Sequence, residues 1–197
     1  MPQLWVLVGG NGAGKSTYYE AYLKPMNLPF INADVLAKAL FPNHPEAFSY
    51  RAARIADVLR QDMLDSRGSF CFETVYSHPS KVDFVADAVK KGYEVFFIMI
   101  GLDSESLHVG RVAQRVEQGG HSVPEDRVRS RIARTKKHVL QSIPLVHHMW
   151  IVDNSSLDAP FERQLEFDKG VLTFRADILK DWVRDVFAVY LADEPTA

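Results

Sequence analysis

Leu4-Trp5-Val6-Leu7-Val8-Gly9-Gly10-Asn11-Gly12-Ala13-Gly14-Lys15-Ser16-Thr17 is the stretch that decides the fold. Leu4 to Val8 reads as a buried strand. Gly9 to Ser16 then matches G-x-x-x-x-G-K-[ST] at every fixed position, with a helix expected from Lys15. Glycines admit positive φ and close backbone approach, so successive N–H groups can point at phosphate oxygens. The helix start adds its partial positive charge. The spacing therefore predicts a phosphate-binding loop in which Gly10, Asn11, Gly12, Ala13, Gly14, Lys15, Ser16 and Thr17 hold a nucleoside triphosphate. Lys15 is expected at the β- and γ-phosphates and the Ser16 hydroxyl on magnesium.

Outward from this loop, short apolar runs alternate with amphipathic stretches, the pattern of an α/β fold with a parallel sheet. The expected class is a P-loop NTPase with a five-stranded parallel sheet flanked by helices, a helical lid and a late β-hairpin, all in one domain over 1–197. Further strands are expected at Pro29 to Asn32, Ser69 to Phe72, Val95 to Ile100 (central) and Met149 to Val152. Helices are expected at Lys15 to Leu23, from Val35 to Leu40, after Pro45, and at Lys81 to Lys91, where Gly92 supplies a C-terminal cap. Later ones are expected at Ser104 to Val116, Glu125 to Leu140, and Asp177 to Tyr190, the last packing Ile178, Trp182, Val186 and Val189. Gln164 to Phe174 reads as the hairpin, turning at Asp168-Lys169-Gly170. Trp5, Trp150 and Trp182 are expected in the core, and Ala192 to Ala197 as a disordered tail.

The chain has 197 residues, 47% hydrophobic and 24% charged, with a formal net charge of -2. That balance argues against a broad nucleic-acid or membrane field. Cys71 is the lone cysteine, which excludes an internal disulfide. The N-terminus lacks the basic region and the uninterrupted apolar run of a signal or spanning segment, so a cytoplasmic protein is expected.

Ligands of open α/β sheets bind at the carboxyl ends of the strands. Asp34 and Glu73 stand at two of them. Asp34 fits a general base for an attacking hydroxyl or an N-cap for the helix that follows. Glu73 fits acceptor orientation, magnesium through water, or a solvated strand end. Arg111 and Arg115 share one helix face, and Arg127, Arg129, Arg131 and Arg134 follow a Gly119-Gly120 turn. Guanidinium forks bind phosphate bidentately, so residues of about 111–135 read as a hinged lid, against the alternative of a solvated, ion-paired helix pair. RNA binding lacks the aromatic residues that should interleave with the arginines. His147 and His148 are strand neighbours that point to opposite faces, which disfavours a shared metal site. Asp153-Asn154-Ser155 reads as a turn or as a contact to the nucleotide base.

Together Gly9 to Thr17, Ile31-Asn32-Ala33-Asp34, Phe72-Glu73-Thr74, Gly119-Gly120-His121-Ser122-Val123-Pro124 and Val152-Asp153-Asn154-Ser155 resemble the zeta-toxin-like P-loop kinases, particularly their stand-alone predicted-ATPase branch. The resemblance runs from about Leu4 to Ser155. It implies a nucleoside-kinase-like core that uses ATP or GTP with magnesium to phosphorylate a small molecule, in the founding toxins UDP-N-acetylglucosamine. By the same resemblance Asp34 is the general base, Glu73 and Thr74 contact the acceptor, and Arg111, Arg115 and Arg131 stabilise the γ-phosphate. The chain departs from the branch at Val75, Ile132 and His138, where threonine, tyrosine and asparagine are expected. No antitoxin segment is visible in the sequence. A P-loop ATPase or nucleotide-dependent switch is the other reading, followed by a nucleotide-binding protein without turnover.

Overall fold

The computed structural model describes residues 1–117 and 123–192. The Gly119-Gly120-His121-Ser122 turn and most of the expected tail lie outside the described residues.

Five strands run parallel. They are β1 (Gln3–Gly9), β2 (Phe30–Ile31), β3 (Phe70–Thr74), β4 (Glu94–Gly101) and β5 (His148–Asp153). The hairpin strands β6 (Glu162–Asp168) and β7 (Val171–Arg175) then continue the same sheet antiparallel, giving the order β2-β3-β1-β4-β5-β6-β7. The sheet is thus seven-stranded and mixed rather than five-stranded and parallel. The hairpin itself is where the sequence puts it. Lys169 and Gly170 both have positive φ, 47° and 83°, which suits a tight turn matched to strand twist.

β1 and β4 are flanked on both sides, and nearly all their inward residues are buried, including Leu4, Val6, Val8, Val95, Phe97 and Ile100. That explains their unbroken apolar character. One sheet face packs under α3 (Ser49–Asp65), α4 (Ser80–Lys90) and α6 (Glu125–Ser142) through Ala56, Val85, Ala88, Val139 and Ile143. Gly92 closes α4 at φ 76°, with Gly92 N–H donating to Val89 O and Tyr93 N–H to Ala88 O. On the other face Trp5, Phe96, Trp150 and His148 form a stacked aromatic row, with Trp5 and Phe96 centroids 4.3 Å apart. Trp5 and Trp150 are therefore half-buried on that face rather than core.

Two helices differ from expectation. After α1 (Lys15–Tyr18) the chain widens into a π-helical turn at Tyr19–Leu23, then a 3₁₀ turn containing Pro25. The C-terminal helix is two short pieces, α7 (Asp181–Val186) and α8 (Ala188–Leu191). Lys180 is extended, and Phe187 is fully buried at the break, so burial of Phe187 overrides helical continuity. Ile178 and Val189 consequently lie outside, 81% and 79% exposed. Trp182 remains core. No helix among the described residues is long and apolar enough to cross a membrane.

Candidate active site

The loop after β1 has the backbone that phosphate binding demands. Gly12 and Gly14 have φ of 78° and 97°, and Gly14 stands at the N-cap of α1. A Cβ on Gly14 would lie 2.3 Å from Asn154 Nδ2, so this position excludes side chains by space as well as by angle. Lys15 is buried, its Nζ donating to Gly9 O at 3.0 Å and Gly10 O at 3.1 Å. The same ammonium lies 3.6 Å from Glu73 Oε1. Ser16 Oγ donates to Glu73 Oε2 at 3.3 Å, and Asn32 Nδ2 donates to the same oxygen at 2.7 Å. Thr17 is exposed in the first turn of α1.

Glu73 thus belongs to the loop's immediate surroundings and is no solvated strand end. Its register partner on β1 is Leu7, which brings the end of β3 beside the loop. A hydroxyl and a carboxylate at this distance form a hard oxygen pair of the kind magnesium takes, so Ser16 and Glu73 fit that ion.

Asn32 also settles the start of α2 (Ala33–Leu40). Its Oδ1 accepts from Asp34 N–H at 2.7 Å and Val35 N–H at 3.2 Å, so Asn32 is the N-cap. Asp34 sits in the first turn with its side chain exposed, and it lines an open cleft of about 450 Å³ together with Glu73, Thr74 and Val75. The cleft meets the phosphate loop at Asn11, and Arg127 and Arg131 of α6 form its other wall. Thr74 Oγ1 accepts from Tyr76 N–H at 3.0 Å. Tyr76 at the cleft edge holds a left-handed φ of 62°. Its hydroxyl lies 2.8 Å from Ser142 Oγ, and His138 Nδ1 donates to its carbonyl at 2.9 Å. Of the three departures from the family pattern, Val75 lines the cleft, whereas Ile132 and His138 are buried and do not line it.

The arginines divide. Arg131 Nη1 donates to Asn11 Oδ1 at 3.5 Å. Burial and its neighbours Arg127 and Arg134 lower its basicity, while Asp34 acts the other way. Arg111, on α5 (Glu105–Glu117), packs its Cβ against Gly12 and donates from Nη2 to Ser155 O at 3.3 Å. Arg115 is half-buried one turn further along α5. Arg129 instead ties α5 to α6, pairing with Glu105 and Glu125 at 3.1 and 2.8 Å. The solvated, ion-paired reading therefore fits Arg129.

Two residues that brace the loop are not evident as such in the sequence. Asn154 Nδ2 donates to Ala13 O at 2.9 Å, which gives the Asp153-Asn154-Ser155 turn a structural job. Asp153 beside it accepts from Trp182 Nε1 at 2.7 Å. His108 on α5 is buried, its Nδ1 lying 2.8 Å from Asn11 O. A carbonyl accepts only, so Nδ1 carries the proton.

Burial pushes the His108 imidazole down to about 4 from its ordinary 6.5, and the nearby cations Lys15, Lys136 and Arg111 add to this against the hydrogen bond to Asn11. The folded state thus binds fewer protons than the unfolded chain between those values. Stability is full above about pH 6.5 and falls as pH drops toward 4, by on the order of 3 kcal/mol at most. Denaturant titrations of wild type and His108→Asn across that window should show a flatter acid limb in the variant. Parallel acid limbs would remove His108 as the cause.

A glycine-rich loop between β1 and α1 of an open α/β sheet, with Glu73 at the end of β3 and Arg111 and Arg131 beside the loop, defines the chain as a protein of P-loop kinase-like fold. The family model described as Zeta toxin matches residues 1–158, and the chain belongs to that family. An uncharacterized protein of Haemophilus influenzae is 28% identical over 136 residues, covering 66% of this chain and 96% of that protein. Among solved structures, the AvrRxo1-ORF1:-ORF2 complex with ATP superposes with a TM-score of 0.70 at 14% identity over 100% of this chain. This chain spans 66% of that one's length. The PezAT chromosomal toxin-antitoxin system of Streptococcus pneumoniae gives a TM-score of 0.64 at 16% identity, over 98% of this chain and 85% of the other.

Proposed function

We propose that the chain, acting as one unit over 1–197, is an ATP- or GTP-dependent kinase that moves the γ-phosphate to a hydroxyl of a small molecule. UDP-N-acetylglucosamine or a related nucleotide sugar is the acceptor this reading favours. The observation that carries it is the position of Asp34. Asn32 takes the cap, which leaves the Asp34 carboxylate in a cleft that also holds Glu73 and Arg131 and abuts the loop at Asn11.

In this reading Gly10 to Thr17 wrap the donor phosphates with backbone N–H groups, and Lys15 leaves the Gly9 and Gly10 carbonyls for the β- and γ-phosphates. Ser16 and Glu73 would hold magnesium, which when bound offsets charge on the β- and γ-oxygens. Asp34 accepts the proton of the acceptor hydroxyl as it attacks. Thr74 and Glu73 orient that acceptor. Arg131, already at Asn11, and Arg111 and Arg115 from α5 stabilise charge on the transferred group. The ATP held by the AvrRxo1 complex supports the donor half.

The test is incubation with magnesium-ATP and UDP-N-acetylglucosamine followed by mass spectrometry. A product heavier by one phosphate is expected. ATP consumption with no heavier acceptor, across a panel of nucleotide sugars, would favour the ATPase reading.

A further inference from the structure

The acceptor cleft contains a charged corner that the transfer chemistry leaves unused. Arg60 of α3 is only 5% exposed, yet it lines the cleft, with its guanidinium 5.1 Å over the Phe72 ring. Lys81, near the start of α4, lines the same cleft with a side chain 19% exposed. Both donate to one oxygen, Asp57 Oδ1, the lysine at 2.6 Å. Two cations share one carboxylate, and Arg127 faces the same cleft from α6.

Burial costs a charged group most when its counter-charge is incomplete. Here desolvation lowers the basicity of both Arg60 and Lys81, and Asp57 offsets this in part. A staple between α3 and α4 would need one cation for one carboxylate. The second cation leaves this corner with a net positive charge, facing open volume. Asp34 and Glu73, the other acids of the cleft, are committed to the hydroxyl and to the loop.

We propose that Arg60 and Lys81 form a seat for an oxyanion of the acceptor, with Asp57 as the internal counter-charge that holds both cations in place when the seat is empty. The inference rests on the kinase reading, because it takes the cleft to be where the acceptor lies. The planar guanidinium suits two oxygens of a phosphate or carboxylate, and the ammonium supplies a point charge beside it. A neutral acceptor leaves the corner's charge uncompensated, so the seat selects anionic acceptors over neutral ones of the same shape.

The loop is first saturated with magnesium and a non-hydrolysable ATP analogue. Calorimetric titrations of N-acetylglucosamine 1-phosphate, glucuronate and free N-acetylglucosamine then probe the seat. At least one anionic probe should bind more tightly than the neutral sugar, and which one does separates phosphate from carboxylate. Lys81→Met and Arg60→Met should weaken that probe by about tenfold or more, the loss of a charge-assisted contact. Asp57→Asn should tighten it, an opposite sign that a merely structural role would not give. Arg60 is buried, so Lys81→Met keeps the test open if Arg60→Met does not fold. Failure of both anionic probes to bind, or identical affinities in wild type, Lys81→Met and Asp57→Asn, overturns the seat. Turnover separates the two claims. An acceptor that is phosphorylated with a KM unchanged by Lys81→Met sinks the seat and keeps the kinase. Variant-sensitive anion binding with no phosphorylated product in any assay keeps the seat and sinks the kinase.

Discussion

Asp34→Asn should lower phosphoryl transfer by about 10²- to 10⁴-fold, the usual range for a positioned general base, while leaving nucleotide affinity unchanged. The variant keeps the shape and one hydrogen-bond-accepting oxygen, but its amide cannot take the acceptor's proton at neutral pH. Folding should be unaffected, because the cap of α2 comes from Asn32 and the Asp34 side chain is exposed. Single-turnover kinetics with saturating nucleotide, beside a direct binding titration, separate chemistry from affinity. Transfer within a few-fold of wild type would remove Asp34 as the base and move attention to Glu73.

Lys15→Ala should weaken triphosphate binding and reduce kcat/KM by at least about 10²- to 10³-fold, the scale for removing one preorganised charge donor. The loop should survive the change. Lys15→Ala loses the bonds to the Gly9 and Gly10 carbonyls, but Gly12 and Gly14, Asn154 on Ala13 O and His108 on Asn11 O still hold the loop's shape. Glu73 loses a cation 3.6 Å away but keeps its bonds from Ser16 and Asn32. The expected signature is therefore a near-native thermal midpoint with lost nucleotide binding. A variant that binds and turns over normally would contradict the assignment of Gly9 to Ser16 as the donor site.

Much of this was legible because it is local. The phosphate loop, the central β4, the Gly92 cap and the Lys169-Gly170 hairpin each depend on a few neighbouring residues with strong conformational preferences. Long-range pairing is different. The Gln164 to Phe174 alternation predicts a hairpin, but not that it joins β5 and extends the sheet to seven strands. The C-terminal apolar spacing mimics one helix, and only the burial of Phe187 splits it. The same limit applies to the site. Asp34, Glu73 and Arg131 could be picked out because strand ends and arginine runs have meaning beside a phosphate loop. His108 and Asn154 act on residues 97 and 141 positions away; the Asp153-Asn154-Ser155 turn stands out in the sequence, but nothing in it names Ala13 as the partner, and nothing around His108 marks Asn11. The Arg60, Asp57 and Lys81 corner likewise joins two helices that the sequence keeps apart. Even Asn32, a common capping residue, is recognised only when α2 is seen to start at Ala33 rather than Val35.

The most direct measurement of the central claim is the ratio of nucleoside diphosphate formed to inorganic phosphate released, with magnesium-ATP and a small-molecule extract as the source of acceptors. A kinase sends the γ-phosphate to a hydroxyl, so diphosphate should greatly exceed free phosphate, and the excess should vanish in Asp34→Asn. Equal amounts of the two, whatever acceptors are supplied, would mean that water takes the phosphate and would contradict the kinase account.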